Sequence, residues 1–264
     1  MHLIRQAAVA GTFYPADSKV LQHLIDSYLA DVNVSASANA PKAIIVPHAG
    51  YIYSGKIAAT AYARLKIAAE KIKRVVVVAP SHRIAFDGLA LSHANFFSTP
   101  LGEIPVDTTA SQNLLAALPF VGYLDDAHDF EHSLEVQLPF LQTVLNDFTL
   151  IPIVAGNATA EQVCQVLELF YDSAATLIVI SSDLSHYHDY ATAQQLDSET
   201  SHKIEALQYE QLNYESACGL VGVKGLMALA RKKSLQIETI DLRNSGDTAG
   251  DKSRVVGYGA YVTH

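Results

Sequence analysis

Residues 75–82 read VVVVAPSH, four valines followed closely by a histidine. Two other segments follow the same pattern, IIVPHAG at residues 44–50 and LIVISSDLSH at residues 177–186. Uninterrupted apolar runs of this length are typical of strands that are buried on both faces of a parallel sheet. Each run leads into a histidine, at the edge where open α/β sheets bind their ligands. The three segments therefore predict one shared site at that edge.

Strands and helices alternate along the chain, which predicts a single α/β domain over residues 1–264, with a largely parallel sheet flanked by helices. Helices are predicted at residues 18–31, 55–69, 108–117, 132–145, 159–171, 189–215 and 218–232. Strands are predicted at residues 43–47, 74–79, 88–92, 149–154, 176–181, 235–242 and 254–262. The two prolines and the glycine of residues 96–107, FFSTPLGEIPVD, are typical of a hairpin or an edge strand.

The composition disfavours several functional classes. Half of the 264 residues are hydrophobic, which is ample material for a core. The formal net charge of −9 disfavours nucleic acid and anionic membranes as partners, because both would repel the protein. Two cysteines are too few for a disulfide framework. There is no apolar signal-peptide core at the N-terminus and no run of membrane-spanning length, so we expect a cytoplasmic, soluble protein.

The histidines at the strand ends, His48, His82 and His186, are the first candidate site residues. One such histidine is more often structural than functional, but chance explains three in one location poorly. No two of them lie four apart on one helix, which rules out an HExxH zinc site. Non-haem iron and zinc enzymes draw ligands from separate elements, which leaves coordination positions open.

The two cysteines differ in their surroundings. Cys164 lies within the apolar pattern VCQVLELF and fits an inert buried residue. Cys218 precedes Gly219 at the predicted start of a helix, where the helix dipole is expected to lower the pKa of a thiol. A structural and a functional role for Cys218 remain equally open at this point.

A cluster of metal-ligand residue types occurs in the segment DDAHDFEHSLE. It contains His128, Asp129, Glu131, His132 and Glu135. An acidic start to a helix, which complements its dipole, accounts for much of this pattern. We therefore interpret the segment as the wall of a pocket or as support for ligands, rather than as primary ligands.

Asp183, in SSDLSH, allows three interpretations: a helix cap, a partner that orients His186, or a ligand. The neighbouring serines suggest a Ser–His–Asp triad. However, the chain has no GxSxG motif, and adjacency in sequence does not supply the geometry of a triad.

Taken together, these segments resemble the Memo family, also called AmmeMemoRadiSam system protein B. The matching stretches are RQAAVAGTFYPAD, PHAGYIYSG, APSH, EHSLEVQLPFLQ, SSDLSH, the Cys218–Gly219 helix start and NSGDTAGDKSRVVGYGAYV. They occur in the family's order and span nearly the whole chain.

The resemblance implies a fold similar to the catalytic subunit of class III extradiol ring-cleaving dioxygenases, which use non-haem iron. It implies that His48, His82 and Cys218 are metal ligands, and that His186, with Asp183 beside it, is the acid–base group. Iron (Fe²⁺) or copper is the implied metal, with redox or dioxygenase-like activity on an unknown substrate. The dioxygenases have a carboxylate where Cys218 stands, and a thiolate favours softer metals such as copper(I).

Two other classes of function stay open. One is a non-catalytic protein that binds a small molecule, a peptide or a partner in the same pocket. The other is a metal-dependent hydrolase, for which zinc is the expected metal, since a metal-activated water also serves hydrolysis. The family name further implies an association with radical-SAM and AMMECR-type proteins.

Overall fold

The computed structural model describes residues 3–34 and 40–264. Its helices are α1 (Ser18–Ala30), α2 (Tyr51–Leu65), α3 (Thr108–Ala117), α4 (Asp126–Asp129), α5 (His132–Glu135), α6 (Leu138–Val144), α7 (Ala160–Tyr171), α8 (Tyr190–Glu205) and α9 (Leu220–Lys233). Its strands are β1 (Ile4–Arg5), β2 (Ala43–Val46), β3 (Arg74–Pro80), β4 (Leu89–Leu91), β5 (Phe96–Thr99), β6 (Gly102–Pro105), β7 (Val121–Tyr123), β8 (Thr149–Ala155), β9 (Thr176–Ser181), β10 (His186–His188), β11 (Ile237–Asn244) and β12 (Val255–Thr263).

A mixed nine-stranded sheet forms the centre of the domain. Its order is β10-β12-β2-β9-β3-β8-β4-β7, and β11 also pairs with β12. The four central strands β2, β9, β3 and β8 are parallel, whereas β12 and β4 join them antiparallel. The predicted α/β fold is thus confirmed, with parallel pairing in the middle of the sheet and again between β4 and β7 at one edge.

The valine run of β3 shows why this sheet is the core. Val75 and Val77 pack into the apolar layer on one face, and Val76 and Val78 pack into the layer on the other. Successive side chains of a strand point to opposite faces, so a run without alternation requires cover on both sides. Helices α1, α2 and α6 provide cover on one face, and α7 and α9 on the other.

The predicted hairpin is present, but it lies outside the central sheet. Strands β5 and β6 pair antiparallel, and β1 joins β5 in a separate three-stranded sheet. The short strands β7 and β10 were not predicted, since three residues carry too little periodicity to be recognised.

Two predicted helices are shorter than expected. The helix predicted at 132–145 is divided into α5 and α6 by a turn at residues 136–137. Pro139 has no N–H to donate to the carbonyl of Glu135, so the helical ladder is interrupted there. The helix predicted at 189–215 ends at Glu205, because Leu207 adopts a left-handed conformation with φ of 56°.

Within the described ranges, no helix combines the length and the apolar character needed to cross a bilayer.

Candidate metal centre

The carboxyl ends of the central parallel strands bring three candidate ligands together. His48 follows β2, His82 follows β3, and Cys218 lies two residues before the start of α9. One ligand atom from each residue lies within 4.8 Å of the other two. The Sγ atom of Cys218 is 3.2 Å from Nε2 of His48, whose side chain is buried. The strand pattern predicted the place of His48 and His82 at this edge of the sheet, and the fold brings Cys218 beside them.

The hydrogen bonds around His48 determine which ring nitrogen carries the proton. Nδ1 of His48 is 2.8 Å from Oγ of Ser181. That hydroxyl donates its one proton to the Ser133 carbonyl at 2.6 Å and accepts from the Gln137 amide at 2.8 Å. Nδ1 must therefore be the donor, which leaves the lone pair of Nε2 free beside Cys218. Burial lowers the pKa of His48 well below its usual value and keeps the ring neutral.

Glu131 fixes the other two imidazoles of the site. Its Oε1 lies 3.0 Å from Nδ1 of His82 and 3.1 Å from Nδ1 of His132, and its Oε2 accepts the backbone N–H of His82 at 2.6 Å. Burial alone would raise the pKa of Glu131, but the hydrogen bonds from His132 and His82 hold it well below its ordinary value. A carboxylate on Nδ1 orients a histidine so that Nε2 can bind a metal.

His132, which the sequence predicted to line the pocket or to support the ligands, completes the histidine cluster. Its ring stacks on His82 with a centroid distance of 4.7 Å and meets the edge of His48 at 5.5 Å. Glu131, His82 and His132 also satisfy the distances of a metal-binding group. Because Glu131 already accepts hydrogen bonds from both rings, hydrogen bonding explains that proximity without a metal.

Cys218 departs from the expectation of a lowered pKa. Gly219, not Cys218, is the N-terminal cap of α9. Burial, together with the nearby charge of Asp183, raises the pKa of the Cys218 thiol far above its usual value. The effect of the helix dipole is therefore overcome by desolvation, and a bound cation would be required to stabilise the thiolate.

The close approach of α9 to the end of β9 positions Cys218. A Cβ atom on Gly219 would lie 2.4 Å from the Ser181 carbonyl oxygen and 2.6 Å from Cβ of Ser182. The Gly219 N–H donates to Oγ of Ser182 at 2.9 Å, and the Cys218 N–H donates to the Asp183 carbonyl at 3.2 Å. Glycine at this position thus allows the thiol to reach the end of the strand.

Asp183 is not a helix cap. Its Oδ1 accepts the backbone N–H of His48 at 2.7 Å, so it links the ends of β2 and β9. Burial raises the pKa of Asp183, and the His48 hydrogen bond and the neighbouring His186 oppose this rise. His186, on β10, lines a cavity of about 620 Å³ together with Asp183 and the histidines of the centre. Their acid–base role stays a prediction.

The chain is similar in sequence to a known protein family over nearly its whole length. The sequence model of the family described as "Memo-like protein" matches residues 5–262. The chain belongs to the Memo family. Among its relatives, each named "MEMO1 family protein", that of Aquifex aeolicus is 36% identical over 97% of both chains. Those of Thermotoga neapolitana and Sulfolobus acidocaldarius are 34% and 33% identical, each over 97% of this chain and 98% of the relative.

Two residues of the DDAHDFEHSLE segment of this Memo-family protein, Glu135 and His128, lie away from the candidate metal centre. Glu135 forms a buried ion pair with Arg5 and accepts the N–H groups of Ala8 and Val9 at 2.8 and 3.0 Å. It therefore ties the N-terminal segment to α5. Nε2 of His128 lies 3.0 Å from the Ala90 carbonyl. The segment thus divides into Glu131 and His132, which support the centre, and Glu135 and His128, which stabilise the fold.

Proposed function

We propose that this Memo-family protein binds a redox-active metal ion, iron or copper, through His48, His82 and Cys218. The observation that carries the proposal is the convergence of the three donor atoms within 4.8 Å, with the Nδ1 atom of each ligand histidine held by a hydrogen-bond acceptor. Free imidazoles do not require such support, whereas metal-binding histidines regularly have it.

The donor set fits such a metal. Two imidazoles and one thiolate suit copper and iron, and zinc also accepts this combination. A bound iron or copper ion would supply one-electron redox chemistry or the activation of oxygen. Three protein ligands would leave coordination positions for a substrate.

The surrounding residues have separate tasks in this proposal. Ser181 and Glu131 hold the two ligand rings in the tautomer that presents Nε2. His186 faces the cavity and would move a proton to or from a bound molecule, while Asp183 lies close enough to interact with its charge. The expected association with radical-SAM and AMMECR-type proteins remains part of the proposal and has no counterpart in the site geometry.

Metal analysis of anaerobically purified protein tests the proposal. The double variant His48→Ala, His82→Ala should lose the bound iron or copper, because it removes two of three ligands. The matched control is His23→Ala, His93→Ala, which removes two exposed imidazoles. It should retain the metal of the wild type. Unchanged metal stoichiometry in the first variant would contradict the proposal.

The thiol has its own matched pair of variants. Cys218→Ser should weaken copper retention, since a hydroxyl is a poor ligand for a soft metal, and Cys164→Ser should not. Zinc as the native metal, retained through the same residues, would instead favour the hydrolase alternative.

A further inference from the structure

An arginine without a charged partner lies at the cavity beside the proposed metal centre. The guanidinium of Arg254 stacks over the ring of Tyr187, 4.5 Å from its centroid, and both residues line the cavity of about 620 Å³. Among residues 3–34 and 40–264, the Arg254 side chain forms no hydrogen bond and no ion pair. Arg254 is exposed to solvent, so its donors are open to a molecule that enters the cavity. A cavity of this size suits a small molecule.

The backbone of β10 is distorted in a way that places Tyr187 there. Tyr187 has φ of 64°, a left-handed conformation that is unfavourable for a residue with a Cβ atom. The register of β10 against β12 shifts between His186 and His188. In a regular strand, adjacent side chains would point to opposite faces, but here His186 and Tyr187 both line the cavity. Local strain of this kind concentrates at binding sites.

A second unused polar group lines the same cavity. Tyr258, on β12, is only 1% exposed, and its hydroxyl, which forms no hydrogen bond within the described part of the chain, reaches the cavity. Buried tyrosine hydroxyls usually have a partner. Tyr258 borders the cavity, so a bound molecule would supply that partner.

The loop that carries Arg254 is held in place by its own hydrogen bonds. The Gly250 N–H donates to the Ser245 carbonyl at 2.6 Å, and Oγ of Ser245 accepts the Val256 N–H at 3.1 Å. A Cβ atom on Gly250 would lie 2.9 Å from Ser245. The arginine is therefore presented from a closed loop, which reduces the entropy cost of binding.

We propose that this cavity binds a small molecule with a single carboxylate group, which Arg254 and the Tyr258 hydroxyl recognise, while its other end faces His48 and His82. A planar carboxylate matches the paired donors of a guanidinium. Asp251 lines the same cavity, so a singly charged anion is better accommodated than a phosphate dianion. The proposal rests on the proposed function for the chemistry at the metal, but the recognition of the carboxylate does not require it.

Benzoate, benzamide and phenyl phosphate are suitable probes. Their binding to the full chain can be measured by NMR titration. Benzoate and benzamide have similar shapes, so the ratio of their dissociation constants reports how much the negative charge of the carboxylate contributes to binding. We expect the wild type to bind benzoate about tenfold or more tightly than benzamide. Arg254→Gln should remove that preference, and Tyr258→Phe should weaken benzoate binding severalfold.

Lys252→Gln is the matched control. Lys252 lies in the same loop and stacks on Tyr190, with its Nζ 4.4 Å from the ring centroid, but it does not line the cavity. This variant should bind benzoate like the wild type. Equal binding of benzoate and benzamide, an Arg254→Gln effect below twofold, or tighter binding of phenyl phosphate than of benzoate would each overturn the proposal.

The same titration on the His48→Ala, His82→Ala variant separates the two proposals. If that variant loses metal but binds benzoate with the arginine-dependent preference, both proposals are supported. If it keeps the metal, the proposed metal site fails, and the effect of Arg254→Gln still decides the carboxylate site.

Discussion

Replacing Glu131 with glutamine tests how the ligand histidines are held. The carboxylate accepts four hydrogen bonds: from the N–H and Nδ1 of His82, from Nδ1 of His132 and from the N–H of Ser133. A glutamine side chain has only one acceptor oxygen. If that oxygen replaces Oε1, the amide NH₂ group faces the His82 N–H, and this part-buried donor loses its partner.

The expected cost follows from these contacts. Loss of a buried charge-assisted hydrogen bond should lower the free energy of unfolding by about 2–3 kcal/mol. Less firm orientation of His82 should also weaken metal binding by about 10–100-fold. The matched control is Glu238→Gln, which alters an exposed pair with His264. It should cost less than about 1 kcal/mol.

Urea denaturation as a function of pH gives a further check on Glu131. Its pKa in the folded protein is far below the ordinary value of 4.5, so its contribution to stability is present above that pH and is lost as the pH falls below it. The difference between the wild type and Glu131→Gln should therefore be largest near neutral pH and shrink in acid. A cost equal to that of the Glu238→Gln control, or a difference that grows in acid, would refute this reasoning.

Two other substitutions probe the framework of the site. Gly219→Ala should cost about 1–3 kcal/mol of unfolding free energy in urea denaturation and reduce metal content, because the added Cβ would lie 2.4 Å from the Ser181 carbonyl oxygen. Its control, Gly122→Ala, adds a Cβ with no atom within 4 Å and should be nearly neutral. Arg5→Met should lower the free energy of unfolding by about 3–5 kcal/mol in the same denaturation experiment, since it leaves the buried carboxylate of Glu135 without its cation. A loss below 1 kcal/mol for Arg5→Met would show that the ion pair contributes no more than an exposed one.

Local patterns in the sequence were sufficient to locate the candidate centre. Four consecutive valines require a strand that is covered on both faces, and parallel strands end at the same edge of a sheet. The positions of His48, His82 and Asp183 follow from these two facts. Family resemblance added Cys218, which no strand pattern indicated.

The sequence did not reveal how the ligands are supported. Glu131 and His132 read equally well as the acidic start of a helix, and only the folded chain shows the carboxylate between two imidazoles. The interruption between α5 and α6 was likewise missed, although Pro139 marks it. The roles of Glu131 and His132 depend on contacts with a distant segment, whereas the interruption has a local cause, the missing N–H of Pro139.

The sequence by itself determined the buried strands, the edge at which they end and the donor types gathered there, because these depend on periodicity within a few residues. The tertiary structure alone decided that Cys218 meets His48 across 170 residues of sequence, that desolvation raises the pKa of its thiol, and that Ser181 holds the proton of His48 on Nδ1. Protonation states and ligand distances depend on which groups surround a side chain in space. Those neighbours come from segments that the local pattern does not connect.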